Sequence, residues 1–481
     1  MSKEFRQLNI AFRGVVFLFL VSEAAVSEPL AEALDKILSD PLYKRAKYGA
    51  VVRRLADGAV LYERNPDGLL SVASNAKLFT TAAALDTLGP DFQFRTPLYI
   101  TGQLADGVLE GDLAVRGSGD PNISGRFFDG DRTAIFRSWA EKLKAYGVKK
   151  VTGGILLDDS LFDREYTHPD WARYNLASWY CAPVSALSFN DNCLDLKIEG
   201  VKDSATALVT CFPETGFATI VNRVRVFRRG TLSIRIDRKP VNVITLRGRI
   251  ACGQSYEDWV ATDEPSLYFG SVLKGVLAES GVEVVGGPKL VERLPQGLRQ
   301  VAEFVSSLRP TIAVANKRSQ NFYSEQLFKL LGARMSGQGS FRSGAGAVVA
   351  FLKKCGIDPA RCQVSDGSGL SRRNRYTPAQ VVQLLVYMRG HKDWRDYVGS
   401  LSIGGVDGQL AKRFTDPRYR GRVYAKTGTL AGVAALSGYV CPDSPGGVAF
   451  SLIFNELELG GTRVRQVQED FCRAIVDRLS N

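Results

Sequence analysis

The chain has 481 residues, 45% of them hydrophobic and 23% charged, with 62 Lys and Arg against 50 Asp and Glu for a net charge of +12. That balance excludes a disordered chain and a small disulfide scaffold, and the lack of an eighteen-residue apolar run excludes a polytopic membrane protein. Two histidines, His168 and His391, exclude chemistry built on several imidazoles, including multi-histidine metal sites.

In chain order, Lys3, Arg6 and Arg13 precede the apolar run Gly14 to Val21, and small residues follow at Ser22, Ala24, Ala25 and Ser27. This is the pattern of a secretory signal peptide over 1–27, which predicts a periplasmic protein. Residues 29–39 read as a helix. Tyr48 to Arg54 and Ala59 to Arg64 read as a hairpin around Asp57-Gly58. Ala73 to Leu88 reads as a helix stopped by Gly89-Pro90.

From about 95 to 290 the pattern turns to short strands: Leu109 to Arg116, Lys150 to Asp158, Cys193 to Glu199, Ala218 to Phe227, Thr231 to Asp237 and Val241 to Arg249. Helices Arg132 to Tyr146 and Pro265 to Ser280 interrupt them. Helices return at Ser319 to Met335, Ala345 to Cys355 and Thr377 to Arg389. Strands Arg422 to Lys426, Gly432 to Val440 and Gly447 to Phe454 precede a last helix, Arg463 to Leu479. The pattern predicts an α+β domain with a β-rich insertion. The last helix is too mixed in charge for a strong membrane anchor, so a soluble or wall-associated protein is expected.

Eight cysteines with no CxxC pair argue against zinc ribbons. Behind a signal peptide their even number predicts disulfides, and proximity favours Cys181–Cys193 and Cys355–Cys362.

Three short motifs carry the chemistry. Ser74 and Lys77 stand three apart at a helix start, so both side chains share a face. A serine needs a base within reach, and with histidine scarce a lysine of lowered pKa is the natural one. Ser271 and Lys274 match the same spacing in the middle of an apolar helix, where a surface pair is expected. Ser319 and Asn321 form the second motif, a spacing Ser188 and Asn190 share. Lys426-Thr427-Gly428 is the third; Lys426 and Gly428 share a strand face, and the glycine is expected to let a substrate backbone approach.

SxxK, SxN and KTG in this order resemble the penicillin-recognising serine acyltransferases. The 245 residues from Ser74 to Ser319, with Gly117 to Pro121, Asp366 to Arg372 and Gly405 to Gly408, narrow the resemblance. The chain is similar to the D-alanyl-D-alanine carboxypeptidase/endopeptidase family of low-molecular-mass, class C penicillin-binding proteins, the penicillin-binding protein 4 type. The resemblance implies a β-lactamase-like catalytic domain, an antiparallel sheet flanked by helices, over 28–94 and 296–481. It places one inserted domain over 95–190 and 258–295, and a second, nested one over 191–257.

It also implies roles. Ser74 is the nucleophile and Lys77 its base. Ser319 passes a proton to the departing D-Ala, Asn321 holds the substrate amide and Lys426 supplies positive charge. Ser74 and Thr429 N–H groups form the oxyanion hole within the segment Thr427, Gly428, Thr429. Arg372 binds a substrate carboxylate. Asp159 and Phe162 approach the cleft from the insertion, and an acid of that region, Asp159 or equally Asp163, contacts the amine of a diaminopimelate side chain. No metal or cofactor is implied. Peptidoglycan stem peptides are the expected substrates, β-lactams the expected covalent inhibitors, and membrane or wall association is loose at most. Ala431 and Gln409 depart from residues common in relatives. His391 is expected in a solvated turn and His168 in a polar loop, neither with a catalytic partner nearby in sequence. The alternatives are a β-lactamase or transpeptidase on the same fold, a non-catalytic peptidoglycan-binding scaffold, and a nucleic-acid binder resting on net charge alone.

Overall fold

The computed structural model describes residues 29–479, apart from residues 41, 42, 44, 215, 459 and 460. The expected signal peptide over 1–27 lies outside the described residues.

Both ends of the chain build one six-stranded antiparallel sheet. Its order is Val60–Arg64, Lys47–Arg54, Val448–Asn455, Val433–Val440, Val423–Leu430 and Ser402–Ile403. The two inner strands after residue 430 are buried along nearly their whole length. Strands covered on both faces lose the polar alternation of a surface strand. Helices Leu30–Leu38 and Gly461–Leu479 cover one face, packing Leu34, Leu38, Phe471 and Ile475 onto Val52, Leu436 and Phe450. The other face carries helices Ala76–Leu88, Asn321–Ser336 and Pro378–Arg389. Every residue from Ala76 to Leu85 is buried. Its alanines allow close packing, and Phe79 stacks on Tyr376 with ring centroids 3.9 Å apart.

The insertion holds the remaining larger sheets. One is mixed, ordered Pro288–Val291, Ile155–Asp158, Leu113–Arg116, Gln93–Ile100 and Arg299–Ser307. Arg299–Ser307 lies antiparallel to Gln93–Ile100, so the chain leaves this sheet after 307 rather than at the expected 296. The single strands expected over 109–116 and 150–158 are each broken. A Cβ on Gly111 would stand 2.2 Å from the Thr101 carbonyl, and one on Gly154 2.4 Å from that of Gly287. A four-stranded sheet, Glu283–Val284, Lys150–Val151, Val108–Glu110 and Gln103–Ala105, and two three-stranded sheets complete the insertion; the latter are Leu208–Phe212, Cys193–Glu199 and Ser255–Ala261, then Thr219–Phe227, Val243–Ala251 and Ser233–Lys239.

The expected disulfides are absent. All eight cysteines are free thiols. Cys181 and Cys193 pack into different apolar clusters, and Cys193 Sγ faces the Asp191 carbonyl. Cys362 Sγ faces the Pro359 carbonyl rather than Cys355. Cys181, Cys193, Cys355 and Cys472 serve as small buried hydrophobes, and burial raises the Cys181, Cys193 and Cys472 thiols.

Candidate active site

The SxxK segment does not begin as a regular helix. Ala73 has φ +46°, and Ala73–Asn75 forms a 3₁₀ turn before helix Ala76–Leu88. A residue held in the left-handed region stores strain, which is common where one side chain must be aimed. Asn75 fixes the turn to the sheet by donating from Nδ2 to Ser437 Oγ at 2.7 Å. Asn455 clamps Ser71 by accepting from its N–H and donating to its carbonyl, both at 2.9 Å. Ser74 is left half-buried at the cleft floor.

Lys77 is fully buried, and its Nζ lies 3.0 Å from Ser74 Oγ, 2.8 Å from Asn321 Oδ1 and 2.7 Å from the Ser368 carbonyl. A neutral amine has two hydrogens and one lone pair. The Asn321 and Ser368 oxygens take both hydrogens, which leaves the lone pair for the Ser74 hydroxyl proton. Burial lowers the Lys77 pKa, and Glu325 and Asp366 oppose that shift in part.

Asn321 opens helix Asn321–Ser336 and donates from Nδ2 to the Tyr180 carbonyl at 2.9 Å, so the insertion forms one wall of the cleft. Ser319, at φ +57°, turns its hydroxyl to Lys426, whose Nζ lies 2.7 Å from Oγ and 2.7 Å from the Thr427 carbonyl. Lys426 is fully buried, and burial followed by the Lys77 charge pushes its pKa far down. Five residues from three distant segments thus converge: Ser74, Lys77, Ser319, Asn321 and Lys426.

Gly428 has a different reason from the one expected. A Cβ there would stand 2.7 Å from the Val72 carbonyl and 3.2 Å from the Ser74 nitrogen. The backbone that approaches it is the protein's own nucleophile turn. This contact sets the Ser74 amide against the strand that carries Thr429. Gly428→Ala should force strand and turn apart and lower the acylation rate by benzylpenicillin by about 10²-fold or more, the scale of losing one oxyanion donor. Retention of the wild-type rate would show that the close approach is dispensable.

Two acids that the motifs do not contain support Lys77. Glu325, one turn after Asn321, is fully buried and accepts from Gly367 N–H at 2.9 Å and Ser368 N–H at 2.7 Å. Burial, then the Asp366 charge, raises its pKa. Asp366 accepts from Gly369 and Ser371 N–H groups, Asn374 Nδ2 and Trp171 Nε1. The turn it holds presents the Ser368 carbonyl to Lys77. Gly369, at φ +81°, has no room for a side chain, since a Cβ would fall 1.8 Å from the Ala73 carbonyl. Glu325→Leu should orphan two buried N–H groups, costing about 1–3 kcal/mol each. A melting temperature equal to that of the wild type would contradict this placement.

The structure brings in Arg372 at the rim, where Nη2 donates to the Ala431 carbonyl at 2.6 Å, just past strand Val423–Leu430. Thr427 is half-buried and Thr429 exposed on that strand. Gln409 holds the SxN segment, its Nε2 lying 3.4 Å from the Arg318 carbonyl.

Asp159 and Phe162 do not join the site. Asp159 is 1% exposed and accepts from Arg164, Tyr166 and Ser266, which saturates both oxygens. Phe162 is also 1% exposed, wedged between Gly119 and Gly339. Asp163 is paired with the buried Lys329 at 2.6 Å. Their place is between elements of the insertion and helix Asn321–Ser336, where each is a packing or ion-pair residue. Asp159→Asn should lower thermal stability and leave the acylation rate unchanged; a slower rate at unchanged stability would restore it to the site.

The rival motif copies are accounted for. Lys274 donates to the Val285 and Gly286 carbonyls. Ser188 Oγ receives Gln326 Nε2 and Asn192 Nδ2 in a buried network. His391 is not in a solvated turn: its side chain is 8% exposed, between Asp86 and the Asp393 N–H. His168 accepts from the Asp170 N–H at 3.1 Å. Among the described residues no group of acids, histidines and cysteines has the arrangement of a metal site.

The family model of the D-Ala-D-Ala carboxypeptidase 3 (S13) family matches residues 30–476. A D-alanyl-D-alanine carboxypeptidase of Actinomadura sp. (strain R39) is 33% identical over 444 residues, 89% of this chain and 81% of the relative. The D-alanyl-D-alanine carboxypeptidase DacB of Haemophilus influenzae is 26% identical over 451 residues, 92% of each chain. The crystal structure of penicillin binding protein 4 (dacB) from Haemophilus influenzae superposes with TM-score 0.80 at 25% identity, covering 93% of this chain and 98% of that one. The same protein complexed with a β-lactam gives TM-score 0.76, with the same identity and coverage.

Proposed function

This chain belongs to the D-Ala-D-Ala carboxypeptidase 3 (S13) family, and from that premise we propose that it is a serine D,D-carboxypeptidase and D,D-endopeptidase of peptidoglycan. The observation that carries the reading is the Lys77 amine, which has two acceptors for its two hydrogens and a lone pair 3.0 Å from Ser74 Oγ.

Ser74 Oγ attacks the penultimate D-Ala carbonyl as Lys77 Nζ takes its proton. The Ser74 and Thr429 N–H groups receive the developing oxyanion. As the C–N bond breaks, Ser319 hands a proton to the departing amine and, with Lys426 2.7 Å away as the relay, regains the one that Lys77 took from Ser74. Asn321 orients both Lys77 and the substrate amide. Arg372 takes a substrate carboxylate. Water then attacks the acyl-enzyme as Lys77 takes its proton, and Lys77 returns that proton to Ser74 Oγ as the shortened peptide leaves. In carboxypeptidase action the leaving amine is D-Ala; in endopeptidase action it is the side chain of a second stem peptide.

β-Lactams acylate Ser74 by the same first step and act as covalent inhibitors. The reading places the protein in the periplasm after removal of 1–27, and no helix among the described residues is long and apolar enough to cross a membrane.

The base must be neutral, so acylation should rise with pH through the lowered Lys77 pKa. The second-order rate with benzylpenicillin is expected to show its rising limb well below the ordinary lysine value of 10.5. A rate that climbs only near 10.5 would contradict neutral Lys77 as the base. Release of D-Ala from a stem pentapeptide, measured beside cleavage of a cross-linked dimer, separates the hydrolase from a β-lactamase or transpeptidase.

A further inference from the structure

The nested three-stranded sheet of the insertion has one face in the core and one in water. Val224, Ile244, Leu246 and Ile250 are at most 1% exposed and join the apolar cluster of the insertion. Side chains alternate along a strand, so the odd-numbered neighbours share the opposite face. The register sets them side by side. Arg223 lies opposite Arg247, and Arg247 opposite Arg235, in one row across three strands. Arg225 lies opposite Arg249, and Arg249 opposite Ser233, in the next row. All five arginines are exposed, and Lys239 extends the face toward its far edge. Asp237 is the acid on these strands' outer face, and it is paired with Arg235.

Like charges directly opposite in a sheet repel. Strand spacing of about 4.8 Å and an i, i+2 rise of about 6.6 Å hold them within one Debye length of about 8 Å in physiological salt. Such a face is poised for an anion array.

Apolar residues border it. Phe227 follows Arg225 on the same face and is 45% exposed. The adjoining loop carries Arg228 and Arg229, then Leu232 at 38% exposure. A water-soluble polyanion gains nothing from exposed Phe and Leu. A lipid surface does, because apolar side chains enter the acyl boundary while neighbouring arginines meet phosphates.

We propose that the outer face of this sheet, Arg223, Arg225, Arg235, Arg247 and Arg249 with Phe227, docks the protein reversibly on an anionic phospholipid surface. The contact is peripheral and electrostatic. It is independent of the catalytic groups, so acylation serves as the folding control.

The test is cosedimentation of the whole protein with phosphatidylglycerol-containing vesicles, with pure phosphatidylcholine vesicles, and competition by soluble polyphosphate. Binding is expected to the first, to be released by salt, and to be negligible on the second. Arg223→Gln, Arg247→Gln and Arg249→Gln together should weaken it by about a hundred-fold, with benzylpenicillin acylation intact. The corresponding triple Arg→Lys variant should bind nearly as the wild type does. Phe227→Ser should weaken vesicle binding several-fold and leave polyphosphate binding unchanged. Equal binding to both vesicle types, no effect of the triple Gln variant, or polyphosphate binding as tight as vesicle binding with Phe227→Ser silent would overturn the proposal.

Discussion

Lys77→Met is expected to lower the acylation rate by benzylpenicillin by about 10⁴-fold or more, with the nucleophile still in place. The serine hydroxyl is a poor nucleophile at its own pKa. Its proton must go to a group within hydrogen-bond reach, and Lys77 Nζ at 3.0 Å is the basic group there. Asn321 and Ser368 take the amine's two hydrogens and so orient its lone pair. Methionine has nearly the same length and brings no charge, so the helix should persist. The Asn321 Oδ1 and Ser368 carbonyl lose a donor, which should cost some stability. Stopped-flow acylation with circular dichroism as the fold check decides the matter. Rapid acylation by the folded variant would remove Lys77 from the mechanism.

Lys426→Met is expected to slow acylation strongly and to cost only a little stability. Lys426 is fully buried, and its polar contacts are the Ser319 hydroxyl and the Thr427 carbonyl, both at 2.7 Å. No carboxylate is among these contacts, and burial, then the Lys77 charge, holds its pKa far below the usual lysine range, so it rests as the neutral amine. A neutral amine carries no buried charge to relieve, so a thioether there only removes the donor from the Thr427 carbonyl and should lower the melting temperature modestly, at about 1–3 kcal/mol for the orphaned buried acceptor. The proton path through Ser319 is lost at the same time, and general acid–base assistance contributes about 10²–10⁴-fold. A variant slower by that factor with only that small loss of stability fits a proton relay through Lys426. A variant less stable and equally fast would make Lys426 a packing residue.

Much of the catalytic constellation was legible because its signals are local. Ser74 and Lys77 share a helical face, Lys426 and Gly428 share a strand face, and Gly89 stops a helix as its position suggested. The unread part depends on contacts between distant segments. Glu325 meets Gly367 and Ser368 42 and 43 residues away, and nothing around Glu325 distinguishes it from a surface acid on a helix. Asp159 looked free because Ser266, one of its donors, lies 107 residues further on. Cys355 and Cys362 looked paired because sequence proximity says nothing about where Sγ points. Gly428 was assigned to the substrate because the Val72 carbonyl it faces belongs to another element.

The most direct measurement is the intact mass of the purified protein after incubation with benzylpenicillin, followed by peptide mapping. One penicilloyl group per chain, located on Ser74, is the predicted result. No adduct on a folded sample would contradict the catalytic account and favour a binding scaffold, and an adduct on Ser271 would contradict the choice of nucleophile.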